Sequence, residues 1–325
     1  NGKLSDSRFQ MLSDDYEQEQ EELREKLPDV EVSYSYGYYI AGEDESHFEE
    51  ALEKIKEADL VILTLGGKHG TCSMSSMGEG VDGSNINLPK GQDEFIKRAA
   101  AFGKPMVGVH FDGRPISSDI ADKYLDGILE AWSPAETGAE AVVSVLLGEY
   151  NPGGKMPVTT AYHAGQIPVY YNHLATGRPN DPQKKERYLS KYLDIPNEPL
   201  YPFGYGLSYT GFTISDVILS SDRLTKDGEI TASACIQNTG EREGSDVLQL
   251  YIRDVTASVA RPVKELKGIE KVSLKPGEKK EISFRITEEM LRFVRADGSY
   301  GSEPGKFRVW ISDSSDSGVY QEFIL

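Results

Sequence analysis

The hydrophobic pattern changes period once along this chain, and that change fixes its architecture. Over residues 1 to about 160, short apolar runs alternate with stretches of helical spacing. Leu60-Val61-Ile62-Leu63-Thr64-Leu65 is uniformly apolar and ends at Gly66-Gly67, as suits a parallel strand buried on both faces. Met106 to Phe111 and Gly127 to Trp132 read the same way. Gln92 to Phe102 reads as a helix between the first two, and Thr137 to Leu147 closes the series as a helix stopped by Gly148. Upstream, Asp14 to Lys26 reads as a surface helix and Val30 to Tyr34 as a strand. Ser46-His47-Phe48-Glu49 has the form of a capping box, after which Phe48, Leu52 and Ile55 recur at helical spacing. Such alternation predicts an α/β fold, a largely parallel sheet covered by helices on both sides.

From Phe212 onwards the apolar residues alternate with polar ones, as in Val247-Leu248-Gln249-Leu250-Tyr251 and Phe307-Arg308-Val309-Trp310-Ile311. Turn signals such as Lys275-Pro276-Gly277 separate the runs, which predicts an all-β sandwich of roughly seven strands. The stretch between has little periodicity but carries Tyr162, Tyr170, Tyr171, Tyr188, Tyr192, Tyr201 and Tyr205. So many aromatics favour an extended, packed connection over a disordered linker. The expected domains are therefore 1–160 (α/β), 161–207 (connector) and 208–325 (β-sandwich).

Composition narrows the partners. A net charge of −18 argues against nucleic acid, whose phosphates need a basic face, and fits a neutral ligand such as a sugar. Surface acids that merely keep a protein soluble explain the charge equally well. The longest apolar run is far too short to cross a bilayer. Two cysteines, Cys72 and Cys235, are too few for a disulfide framework; Cys235 sits in an alternating run and reads as a core thiol. Neither has metal-ligand spacing, the five histidines are scattered, and no metal site is expected. No signal peptide is visible, but the chain opens on Asn1, so a processed or missing upstream segment is expected and the compartment stays open.

In parallel α/β sheets, ligands sit at the carboxyl ends of the strands, and the loop from Gly66 to Asn87 leaves one of those ends. Within it, Met77-Gly78-Glu79-Gly80-Val81-Asp82 sets one carboxylate between two glycines, shortly before Leu88-Pro89-Lys90-Gly91-Gln92. Flanking glycines let a bulky ligand approach closely, and a loop carboxylate is one form a general acid takes. A solvated turn acid has the same sequence. Asp82 reads as a turn-fixing residue whose charge would also raise the pKa of Glu79. Lys68 and His69 lack the phosphate-loop pattern and read as substrate-contacting or solvated loop residues. Trp132 reads as a sugar platform or an interface aromatic. Tyr170, Tyr171, Asn172 and His173 read as packing. His110, ending an apolar strand, reads as a satisfied core histidine.

The Glu79 loop resembles the acid/base loop of family 3 glycoside hydrolases. Three further stretches are similar to that family: Asn151-Pro152-Gly153-Gly154-Lys155-Met156-Pro157-Val158-Thr159, Leu200-Tyr201-Pro202-Phe203-Gly204-Tyr205-Gly206-Leu207-Ser208-Tyr209, and Val247 to Tyr251 with Arg261-Pro262-Val263-Lys264-Glu265-Leu266-Lys267-Gly268. The resemblance implies an α/β-sandwich domain followed by a fibronectin type III-like (immunoglobulin-like) sandwich. It implies a retaining β-glycosidase, most simply a β-glucosidase, acting on a β-linked glucoside or oligosaccharide, with Glu79 as general acid/base. Such hydrolysis needs a second carboxylate roughly 5–5.5 Å away and no metal or organic cofactor. In the family that second group is an aspartate on a (β/α)8 barrel, and no Ser-Asp-Trp nucleophile segment occurs here. Ser13-Asp14-Asp15 is the nearest mimic. No nucleophile is therefore expected in this chain, a barrel domain or chain becomes the expected partner, and the chain alone is expected to be nearly inactive. The family's arginine after the loop aspartate is replaced by Gly83. A non-catalytic carbohydrate-binding or assembly module is the alternative, and a nucleotide-binding α/β protein a third reading without a fingerprint. A homo-oligomer, the sugar and the linkage stay open.

Overall fold

The computed structural model describes residues 20–40, 42–67, 84–134, 136–179 and 188–325. They fall into two compact units: Asn1–Tyr150 with Tyr162–Ile167, and Asn151–Ala161 with Pro168–Leu325. Among the described residues no helix is long and apolar enough to cross a membrane.

The first unit is built on three parallel strands in the order β1 (Val61–Gly66), β2 (Met106–Phe111), β3 (Gly127–Glu130). Helices α1 (Phe48–Glu57), α2 (Lys90–Ala100), α3 (Asp119–Tyr124) and α4 (Gly138–Leu146) accompany them. Phe48, Leu52 and Ile55 of α1 meet Leu63 and Leu65 of β1 and Phe95, Ile96 and Ala99 of α2 in one buried cluster. Phe48 and Phe95 meet edge to face, with ring centroids 5.1 Å apart. Each large side chain buried there contributes about 1.5–3 kcal/mol.

Three local expectations fail. Residues 30–34 form no strand, because side chains take their carbonyls: Arg24 donates to Val32 O at 3.2 Å and Lys54 to Tyr34 O. The helix at Phe48 lacks a capping box; its N-cap is His47 without a side-chain bond, and Ser46 N–H turns back to Asp44 Oδ1 at 2.8 Å. β1 is not buried on both faces. It lies at the edge of the described sheet, and Ile62 is 36% exposed.

The second unit is an antiparallel sandwich. One sheet runs β13 (Gln321–Ile324), β12 (Lys306–Ser312), β7 (Gly244–Asp254), β8 (Glu265–Leu274). In the other, β6 (Glu229–Asn238) pairs with β9 (Lys279–Thr287) and with the short strands β4 (Phe212–Ile214) and β5 (Ile218–Leu219). The short strands β10 (Phe293–Val294) and β11 (Tyr300–Gly301) make a separate hairpin. Ile230, Ala232, Ala234 and Ile236 face Leu248, Leu250, Ile252, Phe307, Val309 and Ile311 in the core. That parity points Cys235 to the opposite face, where it is half-buried rather than a core thiol.

Residues 151–161, 168–179 and 188–207 pack within this second unit. Tyr171 stacks on Phe203 at 4.7 Å and meets Tyr251 of β7 edge-on at 5.6 Å. Val263 N–H donates to His173 O, and Ser315 N–H to Phe203 O, each at 2.9 Å. At Gly204, with φ +85°, a Cβ would stand 2.5 Å from the Gln249 amide, so the turn requires glycine. Lys155 reaches Asp246 of β7 at 2.7 Å, and Asn151 Oδ1 accepts from Ser208 Oγ and Tyr209 N–H.

Candidate functional site

The carboxyl ends of β1, β2 and β3 converge, as the register of a parallel sheet requires. Gly66 ends β1 in a conformation with φ +119°, where a Cβ would lie 2.3 Å from Phe111 O and 2.7 Å from Asp112 Oδ1. Its peptide is gripped from α2: Gly66 N–H donates to Gln92 Oε1 at 2.9 Å, and Gln92 Nε2 donates to Gly66 O at 2.7 Å. On the return side, Ser117 N–H donates to Ile86 O at 2.8 Å, and Leu88 is buried. The Gly66 flank of the stretch 68–83 is thus tied to α2, and the Ile86 flank to the segment between β2 and α3. Lys68, His69, Cys72, Glu79, Asp82 and Gly83 lie outside the described residues, as does the Ser13-Asp14-Asp15 mimic.

A constellation that sequence reasoning missed stands at the same strand ends. His110 and Asp112 are two residues apart and share a face of the β2 trace. Glu130 is the register partner of His110 on β3. His110 Nδ1 is 3.5 Å from Glu130 Oε2 and 4.0 Å from Asp112 Oδ2. Asp112 is 0% and His110 3% exposed, yet among the described residues neither oxygen of Asp112 nor His110 Nε2 has a hydrogen-bond partner within bonding geometry; the Gly67 N–H beside Asp112 donates to Phe111 O at 3.3 Å. His110 is therefore a core histidine, but not a satisfied one. Burial pushes the Asp112 carboxyl up to about 7; His110, the nearby Gly67 amide and Arg114 oppose the rise, and Glu130 adds to it. The available signal was His-x-Asp closing one apolar strand and Glu closing the next.

Residues 130–133 wrap this corner. Asp112 N–H donates to Trp132 O at 2.9 Å, Trp132 N–H to Glu130 Oε1 at 3.3 Å, and Ser133 Oγ to Asp112 O at 3.2 Å. Trp132 has φ +54°, in the left-handed region that non-glycine residues seldom enter. In the second unit an open cavity of about 610 Å³ is lined by Lys226, Glu288, Arg292, Arg295, Tyr300 and Ser302 among others. Glu288 is already bonded there to Arg292 at 2.8 Å and to Ser302 Oγ.

Two family models match the chain, the first running past the α/β unit into the second. Residues 4–209 match the family model of the glycosyl hydrolase family 3 C-terminal domain, and residues 246–315 that of a fibronectin type III-like domain. The chain is 48% identical over 267 residues to a periplasmic β-glucosidase of Salmonella typhimurium, covering 82% of this chain and 34% of that protein. It is 40% identical over 273 residues to a putative β-xylosidase of Formosa agariphila, covering 84% and 35%. The chain thus spans about a third of the length of these relatives. Among solved structures, a β-glucosidase from Listeria innocua in complex with glucose superposes with a TM-score of 0.81 at 37% identity, covering 88% of this chain and 39% of that one. A mutant of that enzyme in complex with laminaribiose gives 0.84 at 38% identity, covering 93% and 41%. The described residues hold the α/β and fibronectin-like parts and no (β/α)8 barrel. The chain belongs to glycosyl hydrolase family 3.

Proposed function

We propose that this chain is the part of a retaining β-glycosidase, most simply a β-glucosidase releasing terminal non-reducing β-D-glucose, that supplies the general acid/base. Glu79 protonates the glycosidic oxygen as the bond to the anomeric carbon breaks, and then takes a proton from the water that hydrolyses the glycosyl-enzyme. The attacking carboxylate belongs to an aspartate on a barrel outside this chain. The observation that carries the reading is the position of Gly-Glu-Gly-Val-Asp in sequence, between a β1 end and an α2 start that are clamped together through Gly66 and Gln92. The similarity to β-glucosidases solved with glucose and laminaribiose supports a β-glucoside as substrate.

Lys68 and His69 are assigned to the aglycone side of the pocket and Asp82 to fixing the turn around Glu79. Two carboxylates complete the chemistry. The test is reconstitution. Alone, the 325-residue chain should hydrolyse an activated aryl β-glucoside at no more than background rate, and addition of a family 3 barrel should restore turnover. Full activity of the chain by itself would place a second catalytic carboxylate within it and refute the division of labour.

A further inference from the structure

We propose that His110, Asp112 and Glu130 bind one divalent transition-metal ion of the Mn2+ to Zn2+ class at the carboxyl ends of β2 and β3. Register puts the three donors on one face: His110 and Asp112 by their two-residue spacing, Glu130 by its pairing with His110. One nitrogen and two carboxylate oxygens all lie within 4.8 Å of one another. Metal–ligand bonds of about 2.0–2.2 Å set ligand atoms up to about 4.2 Å apart. The separations of 3.5 and 4.0 Å around His110 Nδ1 lie within that reach, and the two carboxylates, at most 4.8 Å apart, need close by no more than a few tenths of an ångström.

The second observation is the unmet polarity of Asp112. It is fully buried, and among the described residues neither of its oxygens has a hydrogen-bond partner within bonding geometry, the nearby Gly67 amide donating to Phe111 O. A proton alone does not resolve this, because the carbonyl oxygen of the neutral acid would still be a buried acceptor without a donor. A divalent cation does, since it pairs with Asp112 and Glu130 together and makes the centre neutral. His110 then binds through Nδ1 and keeps its proton on Nε2. A mixed imidazole and carboxylate set without thiolate suits Mn2+ or Zn2+, whereas Ca2+ and Mg2+ favour all-oxygen shells. The ion plays no part in glycoside hydrolysis, and the proposal is independent of the role given to Glu79.

To test it, the 325-residue chain is stripped with EDTA, loaded with Zn2+ or Mn2+ in excess Mg2+, desalted and analysed for metal. One ion per chain is expected, with affinity falling roughly tenfold or more in Asp112→Asn and Glu130→Gln. Circular dichroism verifies that the variants fold. A Co2+ titration of the unaltered chain should give visible d–d bands, which decides the matter even if a variant unfolds. No retained ion and no cobalt bands, or equal retention in both folded variants, would overturn the proposal.

Discussion

Gln92 holds both backbone polar groups of Gly66, accepting from its N–H at 2.9 Å and donating to its carbonyl at 2.7 Å. One side chain at the start of α2 thereby completes the end of β1. Replacing it by an apolar residue of similar size strands two buried backbone groups. Gln92→Leu should cost about 2–4 kcal/mol, read by urea unfolding of the chain. A loss below about 1 kcal/mol would show that the clamp is dispensable.

Gly66 itself tolerates no side chain. Gly66→Ala meets both a φ of +119° and a contact of 2.3 Å with Phe111 O, and should cost about 3 kcal/mol. Gly103→Ala is the control. Its φ is +65° and nothing lies within 4 Å, so only about 1 kcal/mol is expected. Equal losses would remove the close approach from the explanation.

The β1 to β3 sheet was legible because uniformly apolar strands between helical stretches have few other solutions. Residues 30–34 misled because alternation records only which face is apolar, while Arg24 and Lys54 decide where the carbonyls bond. Cys235 misled by parity: an alternating run names two faces without saying which is inward. The packing of Tyr171 and Phe203 was signalled by aromatics but not its partner, since Tyr171 on Phe203 and Tyr251 is a tertiary match without a period. The His110, Asp112 and Glu130 cluster arises from register between two strands, which spacing along one segment does not encode. Of the candidate site, the glycine-flanked Glu79 was legible as a motif, and the clamp between Gly66 and Gln92 was not.

Asp93 makes stability depend on pH. It lies in the first turn of α2, where the helix dipole favours a negative charge. Burial and then Asp119 outweigh this and Lys97, and raise its pKa to about 6. The folded state holds a proton that the unfolded chain releases near 3.8, so this contribution is complete below that pH and lost as pH rises to about 6. Asp93→Asn should therefore flatten the stability profile across that window. Above it, the variant should be more stable by on the order of 1 kcal/mol, allowing for solvent screening. A profile of unchanged slope would contradict the assignment.

Lys155, from the Asn-Pro-Gly-Gly-Lys stretch, pairs at 2.7 Å with Asp246, which is 6% exposed on its side chain. Lys155→Met leaves that carboxylate unpaired and should cost about 3 kcal/mol, the low end of such losses because Val247 N–H still donates to it at 2.8 Å. Adding Asp246→Leu should recover most of the loss. If the double variant is no more stable than the single one, packing rather than charge governs this contact.

The central claim concerns proton transfer by Glu79, and leaving-group dependence tests it most directly. In the enzyme reconstituted with a barrel, Glu79→Ala should lower kcat/KM by on the order of 10²–10⁴ for poor leaving groups. With a dinitrophenyl glucoside, whose departure needs no proton, the loss should be small, and added azide should yield the β-glucosyl azide. Equal losses for every leaving group, with no azide product, would contradict the account.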